Sequence, residues 1–207
     1  MNTPLTCFTL LFLLISAGCA NVTAPTGGKK DVTPPRLVSL SPHDSMTNTR
    51  VNPIELYFNE YITINNPVKE VQLSPILPIA PTVMGQNKHV IVKIVDSLLE
   101  PNTTYRLTFG EAIKDVHEGN PFKGYTYTFS TGAYFDSLQL WGTVVNAATG
   151  MYDLEGMVVV LYYATDPDSA IVRQKPRYAS KVEQGGQFRF KGLPKRAFRI
   201  YAVKDVN

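Results

Sequence analysis

The sequence is poor in the residues that most often carry chemistry: its 207 residues include two Cys, three His and one Trp. None of the histidines, His43, His89 and His117, has a second His or Cys at the spacing of a metal site. The sequence also lacks a G-x-S-x-G nucleophile motif, a phosphate-binding glycine loop and a dinucleotide fingerprint. We therefore predict no catalytic residue, no metal ligand and no cofactor, and we expect a protein that is not an enzyme.

Carboxylates offer the main alternative to that expectation. Glu60, Glu111 and Asp115 would suit a glycosidase pair, but nothing in the sequence brings two of them to the required separation. The turn that holds Asp115, His117 and Glu118 is rich in oxygen ligands, which suit a hard cation, yet its spacing is not that of an EF-hand. A solvated turn is the preferred interpretation.

A strong charge imbalance is also absent. The formal net charge is +3, and charged residues make up 18% of the chain. So modest a charge gives no reason to expect a nucleic-acid partner. One basic cluster, consisting of Lys191, Lys195, Arg196 and Arg199, would suit anionic lipid headgroups or an acidic envelope partner, but a solvated surface explains it more simply.

Long hydrophobic runs are missing except at the N-terminus. Residues 5–15 form an apolar run that is too short for a bilayer span, which needs about 20 residues, and that is typical of a secretory signal. The following Ser-Ala-Gly-Cys resembles the lipobox of bacterial lipoproteins. That resemblance implies a signal peptide at residues 1–18 and lipidation of Cys19. Cleavage after Ala20 by an ordinary signal peptidase remains the alternative.

The cysteine count agrees with lipidation. Cys7 lies within the signal and would be removed with it, so Cys19 would be the single cysteine of the mature chain, and lipidation would occupy its thiol. Residues 19–33, rich in Thr, Pro and Gly, are predicted to form a flexible linker behind the anchor. No acidic run follows Cys19, so we expect the anchor in the outer membrane, with the protein facing the periplasm.

The composition of the remainder favours strands joined by turns, with 15 Pro, 14 Gly, 11 Tyr and 10 Phe. Apolar and polar residues alternate in several short runs, as half-buried strands require. The predicted strands are 37–40, 54–58, 68–73, 81–84, 89–95, 104–109 and 125–130. We predict an all-β chain whose residues 34–132 form an immunoglobulin-like (Ig-like) β-sandwich.

Specific motifs support this assignment. PPRLVSLSPHDSM, IELYFNEYI, LLEPNTTYRLTF, IKDVHEGNPF and TYTFSTG occur in that order. Together they resemble the bacterial Ig-like domain common in lipoproteins and adhesins, over about residues 33–132. The resemblance implies a non-catalytic module.

A second β-sandwich is predicted at residues 137–207. LQLWGTVVNAATG, LEGMVVVLYYA and GGQFRFKGLPKRAFRIYAVKD resemble the transthyretin-like or carboxypeptidase-regulatory-like fold. Residues 146–150 and 185–186 are predicted turns, and 198–204 the last strand. Relatives of this fold continue beyond the corresponding point, so we expect an incomplete sandwich with an exposed sheet edge. A short variant of the fold that ends here is the alternative.

A few residues are candidates for ligand contact or modification. Trp141, Tyr162 and Tyr163 lie on predicted strands and are expected mainly in the core. Tyr162 and Tyr163 are adjacent, so one of the two rings should point outward and contact a ligand. Four Asp-Ser/Thr-apolar motifs resemble an O-glycosylation signal of some Gram-negative envelope proteins, which implies modification at Ser45, Ser97, Ser137 and Ser169. Common Asp-Ser turn chemistry is the alternative.

These patterns predict a non-enzymatic cell-envelope lipoprotein that presents an Ig-like and a transthyretin-like module for structural or binding roles. Its expected partners are the membrane, through the N-terminal lipid, and an envelope protein or glycan. Two alternatives remain open: a carbohydrate- or protein-binding receptor component of the envelope, and a fragment of a larger envelope enzyme.

Overall fold

A computed structural model describes residues 27–150 and 156–204. The predicted signal peptide, Cys19 and most of the predicted linker therefore lie outside the described residues. The predicted all-β class is confirmed, with 42% of residues in strands and 6% in helices. Both β-modules belong to one compact unit, Val32–Asn207.

The first module contains nine strands and one short helix. They are β1 (Leu37–Ser41), β2 (Ile54–Phe58), β3 (Ile62–Ile64), α1 (Pro67–Glu70), β4 (Gln72–Ser74), β5 (Thr82–Gln86), β6 (His89–Lys93), β7 (Thr104–Thr108), β8 (Ile113–Asp115) and β9 (Thr126–Ser130), with a 3-10 turn at Asp96–Leu98. The antiparallel sheets β1-β2-β6-β5 and β4-β7-β9 enclose one hydrophobic core, and β3 pairs with β8. This is the predicted Ig-like β-sandwich.

Alternation along the strands builds that core. Side chains at every second position of β2, β6, β7 and β9 point between the sheets, as the period of two dictates. The fully buried members include Ile54, Leu56, Val90, Val92, Tyr105, Leu107, Tyr127 and Phe129. Their neighbours in sequence therefore point outward, and on β7 this places polar side chains on the outer face of the sheet.

One predicted strand of this module is partly wrong. The run 68–73 begins as helix α1, and only its end belongs to β4. Asn66 takes a left-handed conformation, with φ of 45°, and Pro67 occupies the first turn, where its fixed φ suits a helix start. Val68 is 91% exposed, whereas Val71 is buried against the core.

The second module is built from two small sheets. Its elements are β10 (Leu138–Thr143), β11 (Met157–Tyr163), α2 (Ala170–Arg173), β12 (Tyr178–Lys181), β13 (Gln187–Leu193) and β14 (Phe198–Lys204). β10 pairs with β13, and β11 lies between β12 and β14. Side chains from both sheets share one core, which contains Val159, Leu161, Tyr178, Phe190 and Leu193.

The turns and the last strand of this module follow the prediction. The Gly150 N–H donates to the carbonyl of Asn146, and Gly185 and Gly186 both have positive φ before β13. The last strand begins and ends at the predicted residues, 198 and 204. Within residues 27–150 and 156–204, β14 pairs with β11 alone, so its other edge is unpaired there.

Candidate functional site

A groove of about 800 Å³ lies between the two modules. Its floor is the outer face of the β4-β7-β9 sheet. Because Tyr105 and Leu107 point into the core, Arg106 and Thr108 of the same strand point into the groove. Gln72, Ser74 and Thr126 from the neighbouring strands complete a floor of hydroxyl, amide and guanidinium groups.

The wall of the groove is the outer face of the β10–β13 pair. Trp141 lies on this face and is 74% exposed. Arg189 stands directly opposite it in the antiparallel register, and Lys191 stands opposite Gln139. Directly opposite side chains on one face are neighbours, so the indole ring is flanked by cations. One guanidinium nitrogen of Arg189 donates to Oε1 of Gln139 at 2.6 Å, which holds the arginine in this position.

Among the residues that the structure describes, the charged side chains that line the groove are mostly cationic. Arg106 comes from the floor, and Arg189 and Lys191 come from the wall, against one described carboxylate, that of Glu183. Two different modules thus contribute positive charge to one concave surface. The groove is electrostatically suited to an anionic ligand.

The expected core position of Trp141 is wrong. Within β10 it is Leu140 that packs against the core of the second module, and Trp141, the next residue, faces the opposite side. β10 has a core on one face only, so an aromatic residue at the alternate position stays in contact with solvent.

Gly192 allows the wall to approach the floor. Its φ is +71°, a conformation that glycine adopts easily, and a Cβ at this position would lie 3.1 Å from Cδ of Arg106. A side chain here would push against the arginine of the floor.

A joint centred on Arg177 connects the modules beside the groove. The Ile76 N–H donates to the Arg177 carbonyl at 2.7 Å, and the Arg177 N–H donates to the carbonyl of Leu161 at 2.8 Å. The Arg177 guanidinium forms an ion pair with Glu100 of the first module. The Lys175 ammonium donates to the carbonyl of Pro78 at 2.9 Å. Backbone and side-chain bonds thus both cross between the modules.

A second connection lies where the chain passes from one module to the other. The Asp136 N–H donates to Oγ1 of Thr104 at 2.7 Å, and the Thr104 N–H donates to the Asp136 carboxylate at 3.2 Å. This reciprocal pair fixes the start of β10 against the start of β7. Together with the joint, it determines how the floor and wall of the groove face each other.

The expectation that one ring of Tyr162 and Tyr163 points to solvent is wrong. Their side chains lie on opposite faces of β11, and both residues are buried, at 4% and 6% exposure. Tyr162 packs with Ala170 of α2, and its hydroxyl donates to the carbonyl of Gln174. The ring of Tyr163 lies 5.0 Å from the Arg177 guanidinium, as part of the joint. The short helix α2 covers the face of β11 that carries Tyr162, a contact that the local sequence does not reveal.

The four serines of the Asp-Ser motifs, Ser45, Ser97, Ser137 and Ser169, are all exposed. Two of the preceding aspartates have structural partners. The Asp44 carboxylate accepts the Thr128 N–H at 2.9 Å, and Asp136 bonds Thr104 as described above. Both partners are far away in the sequence, so these two aspartates tie distant segments together rather than form local turns. Modification of the four serines stays a prediction.

The oxygen-rich turn after β8 is organised by Asp115. This residue is 2% exposed, and its carboxylate accepts the N–H groups of Glu118, Gly119 and Asn120 at 2.6, 2.9 and 2.9 Å. Burial raises the pKa of Asp115, but these hydrogen bonds outweigh it, and the net effect is a lowered pKa. Across the described ranges, no group of three or more His, Cys, Asp or Glu residues is placed to hold a metal ion.

The other carboxylates and cations that the sequence indicated as candidates are dispersed over the structure. Glu111 forms an ion pair with Lys123, whose hydrogen bond and charge lower the pKa of Glu111. In the basic cluster, Lys191 lines the groove, whereas Arg196 stacks on Tyr163 and Arg199 forms an ion pair with Asp168 at 3.0 Å. The cluster is therefore not one surface patch.

Sequence reasoning missed Arg106, Arg189 and the Arg177–Glu100 pair. A signal for Arg106 was present, because it occupies a polar position of an alternating strand whose neighbours are core residues. No comparable signal existed for the pair, whose members are 77 positions apart in the chain.

The fold and the groove define a chain of two β-modules, the first an Ig-like sandwich, joined around a polar cleft. The family model of the bacterial Ig-like domain matches residues 31–131, the segment that contains strands β1 to β9. Such domains are typically exposed on surfaces. No curated protein and no solved structure matches the chain. Within residues 27–150 and 156–204, no helix combines the length and the apolar character that crossing a bilayer requires.

Proposed function

We propose that this chain is a non-enzymatic lipoprotein of the bacterial cell envelope, attached through Cys19 to the outer membrane and facing the periplasm. In this proposal the Ig-like module and a transthyretin-like second module are presented together for a structural or binding role. The match of residues 31–131 to the bacterial Ig-like domain carries the proposal. Such sandwiches place variable loops and faces on a stable scaffold, and their function lies in those surfaces.

The roles of the carboxylates support the non-enzymatic part. A glycosidase needs two carboxyl groups that face one cavity at a defined separation. Asp115 is instead committed to three backbone N–H groups, and Glu111 to an ion pair with Lys123. Both carboxylates therefore already have partners within the first module, which supports a non-catalytic role for them.

A binding role is favoured over a purely structural one by a specific observation. The joint around Arg177 and the Thr104–Asp136 pair hold two modules so that they border one cationic groove. A spacer has no need of such a cleft. The third hypothesis, a fragment of a larger envelope enzyme, would be tested by determining whether the reading frame of the gene continues after codon 207.

The experiment is the mass of the mature N-terminus, measured on protein from membrane fractions and compared with a Cys19→Ala variant. We expect a diacylglycerol thioether and a fatty acyl group on Cys19, and loss of membrane attachment in the variant. A mature chain that begins at Asn21 without lipid would refute the anchor and the outer-membrane assignment.

A further inference from the structure

Trp141 is the starting point because a large aromatic side chain at 74% exposure is unusual on a monomeric surface. It is the only tryptophan of the chain. Its indole ring has an apolar face and one N–H donor, so it suits a ligand with an apolar face and polar edges. A sugar ring is such a ligand, since one of its faces presents mainly C–H groups and its rim carries hydroxyls.

The charged residues beside Trp141 indicate the sign of the charge that the ligand carries. Arg189 is its direct cross-strand neighbour, Lys191 is two residues further along β13, and Arg106 faces them from the floor. The planar guanidinium of arginine binds a carboxylate through two parallel hydrogen bonds, and Arg189 is already oriented by Gln139. Cations on two sides of the cleft favour a ligand that carries more than one negative charge.

The floor and the size of the groove specify the kind of ligand. Ser74, Thr108 and Gln72 offer hydroxyl and amide groups that both donate and accept, as the hydroxyls of a saccharide require. About 800 Å³ lies within the usual range for small-ligand sites, roughly 300–1,000 Å³. A protein partner would instead need an interface that buries about 1,200 Å² or more and has an apolar centre, which this polar floor lacks.

We infer that the groove between the two modules binds acidic oligosaccharides of the uronic-acid type. Trp141 stacks on one sugar ring, and Arg189, Lys191 and Arg106 bind the carboxylates of the oligosaccharide. This inference rests on the binding role proposed above and gives it a substrate class. It does not depend on lipidation, because the groove residues all belong to the folded modules. Either proposal can therefore fail without the other.

The test uses the emission of Trp141, which reports on the groove alone. The full chain is titrated with oligogalacturonate and with oligomannuronate, and in parallel with fully methyl-esterified oligogalacturonate. We expect a saturable change in emission with at least one of the two acids, binding by the ester at least tenfold weaker, and loss of affinity as salt is raised.

Variants locate the site by calorimetry, which does not need the tryptophan signal. Arg189→Gln and Lys191→Gln are each expected to weaken binding of the acid about tenfold, because each removes a charge-assisted hydrogen bond. Trp141→Ala should weaken it by a similar factor. Lys93→Gln removes one exposed charge from β6, outside the groove, and should leave the affinity unchanged.

Four results would overturn the inference. They are the absence of saturable binding by either acid, equal affinity for acid and ester, equal losses in Lys93→Gln and Lys191→Gln, and tighter binding of poly-glutamate than of the acidic sugars. The last result would identify the groove as a site for acidic peptides. Circular dichroism of each variant confirms that a lost affinity does not reflect a lost fold.

Discussion

The Asp115→Asn substitution provides the sharpest test of how the first module is stabilised. The buried carboxylate accepts three backbone N–H groups of the turn that follows β8, two of them through Oδ1 and one through Oδ2. Asparagine has nearly the same shape but lacks the charge, and its amide nitrogen cannot accept a hydrogen bond. The substitution therefore removes one hydrogen bond and weakens two while leaving the packing intact.

The expected loss of stability is about 2 kcal/mol. The donor residues of the turn are mostly exposed, so water replaces a lost bond and each bond is worth only about 1 kcal/mol. The bond through Oδ2 is lost entirely. The two bonds through Oδ1 lose their charge assistance, or about half their strength, which adds roughly 1 kcal/mol. With a urea m-value near 2 kcal/mol/M, the unfolding midpoint should fall by about 1 M.

The dependence of stability on pH tests whether the charged form of Asp115 is the stabilising one. The pKa of Asp115 is lowered in the folded state, below an unfolded value of about 3.9. The carboxylate therefore contributes fully above the unfolded pKa, and this contribution is lost as the pH falls through the folded pKa. The difference between wild type and Asp115→Asn should be constant from pH 5 to 7 and should shrink below pH 4.

Urea unfolding followed by far-UV circular dichroism at several pH values measures both the loss of stability and its dependence on pH. Glu118→Gln is the matched control, since it neutralises an exposed carboxylate of the same turn and should change stability by less than about 0.5 kcal/mol. Equal midpoints for wild type and Asp115→Asn at pH 7 would refute the argument. So would a difference that persists undiminished at pH 2.

Three further predictions concern the joint, the groove and a buried tyrosine. A double-mutant cycle with Arg177→Met and Glu100→Gln should give a coupling energy of about 1 kcal/mol in thermal unfolding, and additive losses would contradict the ion pair. Gly192→Ala should cost about 1–2 kcal/mol, because its φ is +71° and the new methyl group meets Arg106, and an unchanged melting temperature would contradict this. Burial raises the pKa of Tyr105 to about 12, so the stability that depends on its neutral hydroxyl is present below pH 10 and lost as the pH rises through 12. Burial also raises the pKa of Tyr127 to about 12. In a spectrophotometric titration, Tyr105→Phe should therefore reduce the ionisation near pH 12 by one tyrosine, and loss of a lower one would count against the prediction.

The Ig-like module could be predicted because its long strands carry their own signal. In β2, β7 and β9, apolar and polar residues alternate, and the alternation fixes which side chains form the core. β3 and β8 were not predicted, because three residues are too few to show a period. The segment of helix α1 was predicted as a strand because valine, at positions 68 and 71, favours strands. The left-handed conformation of Asn66, which redirects the chain, leaves no recognisable pattern in the sequence.

The groove could not be predicted because its residues become neighbours only when two modules meet. The local sequence shows that Trp141 lies on a strand, but not whether one or both faces of that strand are covered. The same limit explains the error at Tyr162, where α2 covers a face that alternation assigned to solvent. Face assignment needs the tertiary contacts, and these depend on residues far apart in the chain.

The separation of the joint residues along the chain has a kinetic consequence. Lys175 meets Pro78 across 97 positions, and Arg177 meets Glu100 across 77. Loops of this length close late, after local strand pairing has formed each module. The Ig-like module should therefore fold first during synthesis, while the face that contacts the second module is still exposed to solvent. The second module should then dock on that face. Contacts made this late act mainly on the rate of unfolding, so weakening the joint should shorten the lifetime of the docked state while the first module folds as quickly as before.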